Sequence, residues 1–221
     1  MARSARLVGA ILFVASAALG TDDADAEQAP PCTTWESEYA LVGTVHLTDT
    51  PFGKGNGAHK VGPGRIVLRF QPEGRVSILS YSMRQAFSID VTAFGATVKV
   101  DVVTMTRAAP DACGIAGEGL VKDEKVEWTT NVRELRTDGT LTCSGRFCGR
   151  YGVPEPGPRP IQIGPNDTRV RPFEFTEGWK TFIMPFTLAT KTESPKQTSF
   201  LALTGREVRR TCVTPPAPCK R

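Results

Sequence analysis

Beyond residue 38, apolar and polar side chains alternate with a period of two through most of the chain, which predicts strands with one buried face. In the first such segment Tyr39, Leu41, Val45 and Leu47 share one side, with Thr44, His46 and Thr48 opposite. Ile66, Leu68 and Phe70 alternate with Arg65, Val67 and Arg69, and the turn Pro72-Glu73-Gly74 then leads into 76–81, so the two form a hairpin. The pattern is clearest over 97–106, where Val98, Val100, Val102 and Thr104 face away from Lys99 and Asp101.

Residues 83–94 fit two periods. Met83, Phe87, Val91 and Phe94 would line a short helix, whereas Phe87, Ile89 and Val91 alternate as a strand, and the β-branched content favours the strand. Further strands are expected at 115–121 and 126–130, joined by the charged turn Lys122-Asp123-Glu124-Lys125, and at 139–143, 173–176, 181–190 and 199–208. The expected fold class is all-β, a single antiparallel barrel or sandwich of about ten strands.

Glycine and proline divide this pattern. Residues 51–64 read as a Gly-rich loop. Residues 149–172 carry Pro154, Pro156, Pro158, Pro160, Pro165 and Pro172, a density that forbids a helix or central strand and predicts a long surface loop. Three strands beyond it are too few for a core of their own. The chain therefore reads as a polar lead-in at 27–37, one β-domain at 38–210 and a Cys/Pro-rich tail at 211–221. A small C-terminal domain from 172 is the alternative.

Residues 1–26 have the form of a secretory signal, with Arg3 and Arg6 ahead of an apolar run at 7–19 and small-residue cleavage patterns ending at Gly20 or Ala26. The run is shorter than the roughly 20 apolar residues a membrane-spanning helix needs. A secreted or periplasmic location follows, and the cysteines fit it. Cys32, Cys113, Cys143, Cys148, Cys212 and Cys219 all lie beyond the signal, and an even count in an exported chain reads as three disulfides. Cys143 with Cys148 and Cys212 with Cys219 are spaced for local loops, while Cys32 paired with Cys212 or Cys219 would join the two ends; spacing leaves these open. No CxxC-like spacing or supporting histidine pair is present, so no metal or cofactor is expected.

The 221 residues include 27 Lys+Arg and 23 Asp+Glu, for a net charge of +4. The near balance argues against a nucleic-acid binder. Its mild basicity depends on where the export segment is cut. Arg206, Arg209, Arg210, Lys220 and Arg221 cluster near the C-terminus, a pattern that suits either an acidic lipid or polysaccharide surface or the solvation of an edge strand, the latter being favoured.

Catalytic signatures are sparse. Gly53-Lys54-Gly55-Asn56-Gly57 leads into a strand rather than the helix a phosphate cradle needs. No Gly-x-Ser-x-Gly occurs, and His46 and His59, the two histidines, have no identifiable acidic partner. Asp90, Asp101, Glu118, Glu127 and Glu174 lie in or near strands, where a glycosidase pair would have to face across a cleft; solvated faces are the simpler expectation. Trp35, Trp128, Trp179, Tyr39, Tyr81 and Tyr151 are expected to pack core and rim. Asn166-Asp167-Thr168 fits an N-glycosylation sequon. A transmembrane β-barrel is disfavoured by the cysteines and by outward Arg and Lys on several strands. The expected function is non-catalytic binding of a small apolar ligand or of a partner. A structural or surface-associated envelope module and an extracytoplasmic hydrolase are the alternatives.

Overall fold

A computed structural model describes residues 32–221 except 51–52, 94–95, 151–152, 177, 191–196, 218 and 220–221. The expected signal segment lies outside the described residues. Eleven strands follow one another: β1 (Trp35–Thr50), β2 (Gly53–Phe70), β3 (Arg75–Ala93), β4 (Ala96–Arg107), β5 (Gly117–Lys122), β6 (Lys125–Trp128), β7 (Val132–Ser144), β8 (Gly157–Thr168), β9 (Phe173–Thr176), β10 (Thr181–Thr190) and β11 (Gln197–Cys212). A 3-10 turn at Pro72–Gly74 joins β2 to β3.

All the strand pairings are antiparallel, in the order β2-β1-β11-β10-β9-β6-β5-β3, and β3 returns to β2, so eight strands close a barrel. The length of β3 explains the remaining three. Its first residues pair with β5 (Val76↔Gly119), while Ser82 to Ala93 pair along the same edge with β4. Strands β4, β7 and β8 therefore continue outward from β3 as a sheet beside the closed barrel.

Alternation selects the inward side chains. Tyr39, Leu41, Ile66, Leu68, Val76, Ile78, Met83, Phe173, Phe182, Met184 and Leu203 are buried, and the expected inward set Val98, Val100, Val102 and Thr104 is buried on β4. Burying a side chain of this size contributes on the order of 1.5–3 kcal/mol. A Cβ at Gly64 would come 2.7 Å from the Met83 terminal methyl, so glycine there lets the two strands pack closely.

Three expectations change. The Gly-rich stretch 51–64 continues as strand from Gly53, because pairing with β1, joined by β3 from Val61 onward, outweighs the low strand propensity of glycine; bulges at 61–64 absorb the irregularity. Within the Pro-rich stretch 149–172, expected as a surface loop, Gly157–Thr168 form β8, which ends the sheet order, the position where proline is tolerated in strands. The alternative of a separate C-terminal domain fails, since β9, β10 and β11 lie between β6 and β1 in the barrel wall and residues from Cys32 onward form one compact unit.

Candidate functional site

The end of the chain builds a half-open pocket against the outer wall of the barrel. Register places Cys212 opposite Trp35, which brings it to Cys32; the two form a disulfide with Cα atoms 5.8 Å apart. Val213 N–H then donates to the Thr34 carbonyl at 3.0 Å. From there the tail runs to Cys219, which is bonded to Cys113 in the connection between β4 and β5, again with Cα atoms 5.8 Å apart. That connection is fixed by Asp111, whose Oδ1 accepts from Cys113 N–H at 2.9 Å and Ile115 N–H at 3.0 Å, an Asx turn followed by Gly114 at φ +72. The local loop open to Cys212 and Cys219 does not form, because the strand register has already committed Cys212 to the N-terminal end. Cys143 pairs with Cys148. Three disulfides fit an oxidising, extracytoplasmic compartment.

Between tail and barrel lies a cavity of about 420 Å³, lined by Arg69, Gln71, Arg75, Ile115 and Glu118 on the barrel side and by Pro216, Ala217 and the Cys113–Cys219 pair on the tail side. Arg69, Ser77 and Glu118 are cross-strand neighbours on β2, β3 and β5, and Ser77 is buried although it faces outward. The Arg69 guanidinium is held by Glu36, with Nε at 2.9 Å and Nη2 at 2.7 Å from the same carboxylate oxygen. Arg75 is more open, contacting Glu73 at 3.4 Å with both side chains exposed. The lining thus offers guanidinium and amide donors and the Glu118 carboxylate on one side and short apolar side chains on the other, a composition able to hold a small polar molecule through an anionic group at the guanidinium forks. It contains no histidine, and its two sulfurs are tied up in the disulfide.

No protein-family model, curated protein or solved structure matches the chain.

A pocket in the barrel core is far smaller than the one under the tail. An apolar cavity lined by Ile66, Ile78, Tyr81, Val132, Leu135, Val170, Phe173 and Met184 has about 10 Å³, room for no more than one water. Nearby space is filled by rings. Phe173 stacks on Phe182 with centroids 4.9 Å apart, Tyr39 meets Phe182 edge-on at 5.0 Å, and Phe70 contacts both Trp35 at 5.2 Å and Trp179 at 5.5 Å. Trp35, Trp179 and Tyr39 therefore pack against the core, as does Trp128, which meets Phe173 at 4.7 Å. Tyr151 lies outside the described residues.

The remaining sequence candidates do not converge. His46 is exposed on the outward side of β1, whereas His59 pairs with buried Val45 and packs 5.5 Å from the Phe87 ring, so the two histidines occupy opposite faces. Glu174 contacts Lys125 at 2.9 Å, Glu127 contacts Lys122 at 3.6 Å, and Asp101 accepts from Ser88 and lies 3.6 Å from Lys99. Asp90, exposed, is the cross-strand partner of Lys99. These carboxylates are dispersed over outward faces rather than opposed across a cleft. The sequon at 166–168 ends β8.

Sequence reasoning did not single out Arg69, Gln71, Arg75 or Ile115. Alternation does put Arg65, Val67 and Arg69 on the outward face of β2, but only the Cys113–Cys219 bond, one of fifteen pairings open to six cysteines, brings the tail over Arg69.

Proposed function

We propose that this chain is an extracytoplasmic binding protein, exported by the segment ahead of residue 27, which holds a small anion-bearing ligand in the tail-roofed cavity and carries out no chemistry on it. The observation that carries the reading is the contrast in space: about 420 Å³ under the tail, within the range of ligand sites, against about 10 Å³ inside the barrel wall. Arg75 supplies an accessible guanidinium and Arg69 one already oriented by Glu36. The apolar pocket lined by Ile66, Met184 and their neighbours is far smaller than the one under the tail, which favours a polar ligand outside the barrel over the apolar one expected from the sequence.

Native mass spectrometry of the protein purified from its own host tests this. A retained small-molecule mass is expected, lost in Arg75→Ala and in the double substitution Cys113→Ser/Cys219→Ser. Retention unaffected by both variants overturns the site. Hydrolysis of a glycoside, ester or peptide that a single histidine or carboxylate substitution abolishes overturns the non-catalytic reading.

A further inference from the structure

One row of paired positions runs across the strands, from the outer wall of the barrel onto the sheet beside it: Arg206 (β11), Ala40 (β1), Arg65 (β2), Ser82 (β3), Arg107 (β4) and Arg136 (β7), each the Cα partner of the next. Their neighbours along the strands, among them Tyr39, Leu41, Ile66, Tyr81, Met83 and Leu135, are buried, so the row faces outward. Arg107 and Arg136 are direct cross-strand neighbours, an opposition of like charges that costs a sheet stability. Arg107 and Arg206 have no acidic partner among the described residues.

Two carboxylates stand beside the row. Glu38 is shared by Arg65 and by Arg209, the latter at 4.0 Å, and Asp138 lies 3.0 Å from Arg136 Nε while also accepting from Gln162 at 3.2 Å. Arg84 and Arg209 in the adjoining rows bring the arginines to six. Solvation of an edge strand, the simpler account of the C-terminal arginines, fails for Arg206, where β11 is paired on both sides, with Ala40 of β1 and Thr181 of β10; Arg209 lies beyond the β10 pairing.

We propose that this row binds a linear acidic polysaccharide, laid across the strands with its carboxylates in the arginine forks. Strands spaced about 4.8 Å apart put roughly 10 Å between Arg206 and Arg65, and again between Arg65 and Arg107. The small side chains of Ala40 and Ser82 leave seats between these forks for the sugar rings. A guanidinium takes a carboxylate through two parallel hydrogen bonds, a match a lysine cannot make. From Arg206 to Ser82 the row follows the barrel wall, and from there it continues onto the sheet of β4 and β7, so a flexible polymer can follow it, whereas a bilayer, presenting its charge in a plane, meets only part of it. A single-stranded nucleic acid uses aromatic stacking platforms, and the exposed large apolar residues described here, such as Val42, Val103 and Ile183, are aliphatic.

The test titrates the full chain with polygalacturonate, alongside neutral dextran, phosphatidylglycerol vesicles and a single-stranded oligodeoxynucleotide. Saturable binding to polygalacturonate is expected, weakening as salt rises. Arg107→Gln/Arg136→Gln and Arg65→Gln/Arg206→Gln each lower the affinity by about tenfold or more, as loss of a charge-assisted contact implies. Glu38→Gln, which removes a competing acid, raises it. Removing the Arg107–Arg136 opposition leaves the thermal midpoint unchanged or higher, so loss of binding in that variant is not loss of fold. The absence of polygalacturonate binding, binding equal in all variants, or variant-sensitive binding confined to the vesicles or the oligonucleotide overturns the proposal. Arg75→Ala leaves this binding intact, which separates it from the cavity under the tail.

Discussion

The Tyr39 hydroxyl donates to the Trp179 carbonyl at 2.7 Å, tying β1 to the turn between β9 and β10 across 140 residues of sequence. Trp179 adopts φ +73, uncommon for a side chain of that size, and its ring rests on Phe70 and Phe175. The bond holds that turn against the aromatic cluster. Tyr39→Phe keeps the ring contacts with Phe175 and Phe182 and leaves the carbonyl without its donor, so it is expected to cost about 1–2 kcal/mol in urea unfolding, with the slope on urea unchanged.

The same burial predicts an alkaline transition. Burial pushes the hydroxyls of Tyr39 and Tyr81 well above the ordinary tyrosine value of 10.0. The unfolded chain releases these protons near the ordinary value while the native state retains them, so above about pH 10 the unfolded state binds fewer protons and stability falls as pH rises. Below that value these groups leave stability independent of pH. Tyrosinate absorbance for two of the three tyrosines should therefore rise together with the loss of native circular dichroism, not ahead of it.

Gly205 pairs with Leu41 on one side and with Phe182 on the other, and a Cβ there would run into the Phe182 ring. Phe182 is buried and held by three other rings, so it has no free direction in which to move. Gly205→Ala is expected to cost about 1–3 kcal/mol by overpacking. Adding Phe182→Leu to it should cost less than the sum of the two single changes, a coupling a double-mutant cycle reads directly.

These predictions draw on what sequence patterning could and could not supply. Period-two alternation located β4, β9 and β10, and it assigned the buried face of β4 residue by residue, because one-sided burial imposes that period wherever a strand lines a core. It stopped short on β2 and β8. Glycines 53–57 and the prolines of 154–165 weaken local strand preference, and only pairing with β1, or with β7 at the sheet's end, settles their conformation. Likewise the cavity under the tail requires Cys219 to reach Cys113, 106 residues away, a choice that spacing along the chain does not encode. The arginine row is a property of register: Arg107 and Arg136 become neighbours only once β4 and β7 are aligned.

The three disulfides are expected to differ both in what they contribute and in how easily they open. In the chain-entropy model the Cys32–Cys212 link, spanning 180 residues, is worth about 5 kcal/mol, and the Cys143–Cys148 link, spanning 5, about 2 kcal/mol. Paired serine substitutions should follow that order in denaturant unfolding. Accessibility runs the other way for reduction: Cys32, Cys212 and Cys219 are exposed, while Cys143 and Cys148 are buried. Thiolate attack needs access to a sulfur, so a mild reductant followed by alkylation under native conditions should label the Cys32–Cys212 and Cys113–Cys219 pairs before Cys143 and Cys148. Opening Cys113–Cys219 alone frees the tail without unpairing any barrel strand, since β11 ends at Cys212. The Cys113→Ser/Cys219→Ser variant should therefore keep the native β circular dichroism while losing the pocket beside Arg75. Earlier labelling of Cys143 and Cys148, or collapse of the β signal in that variant, would count against this separation of tail from barrel.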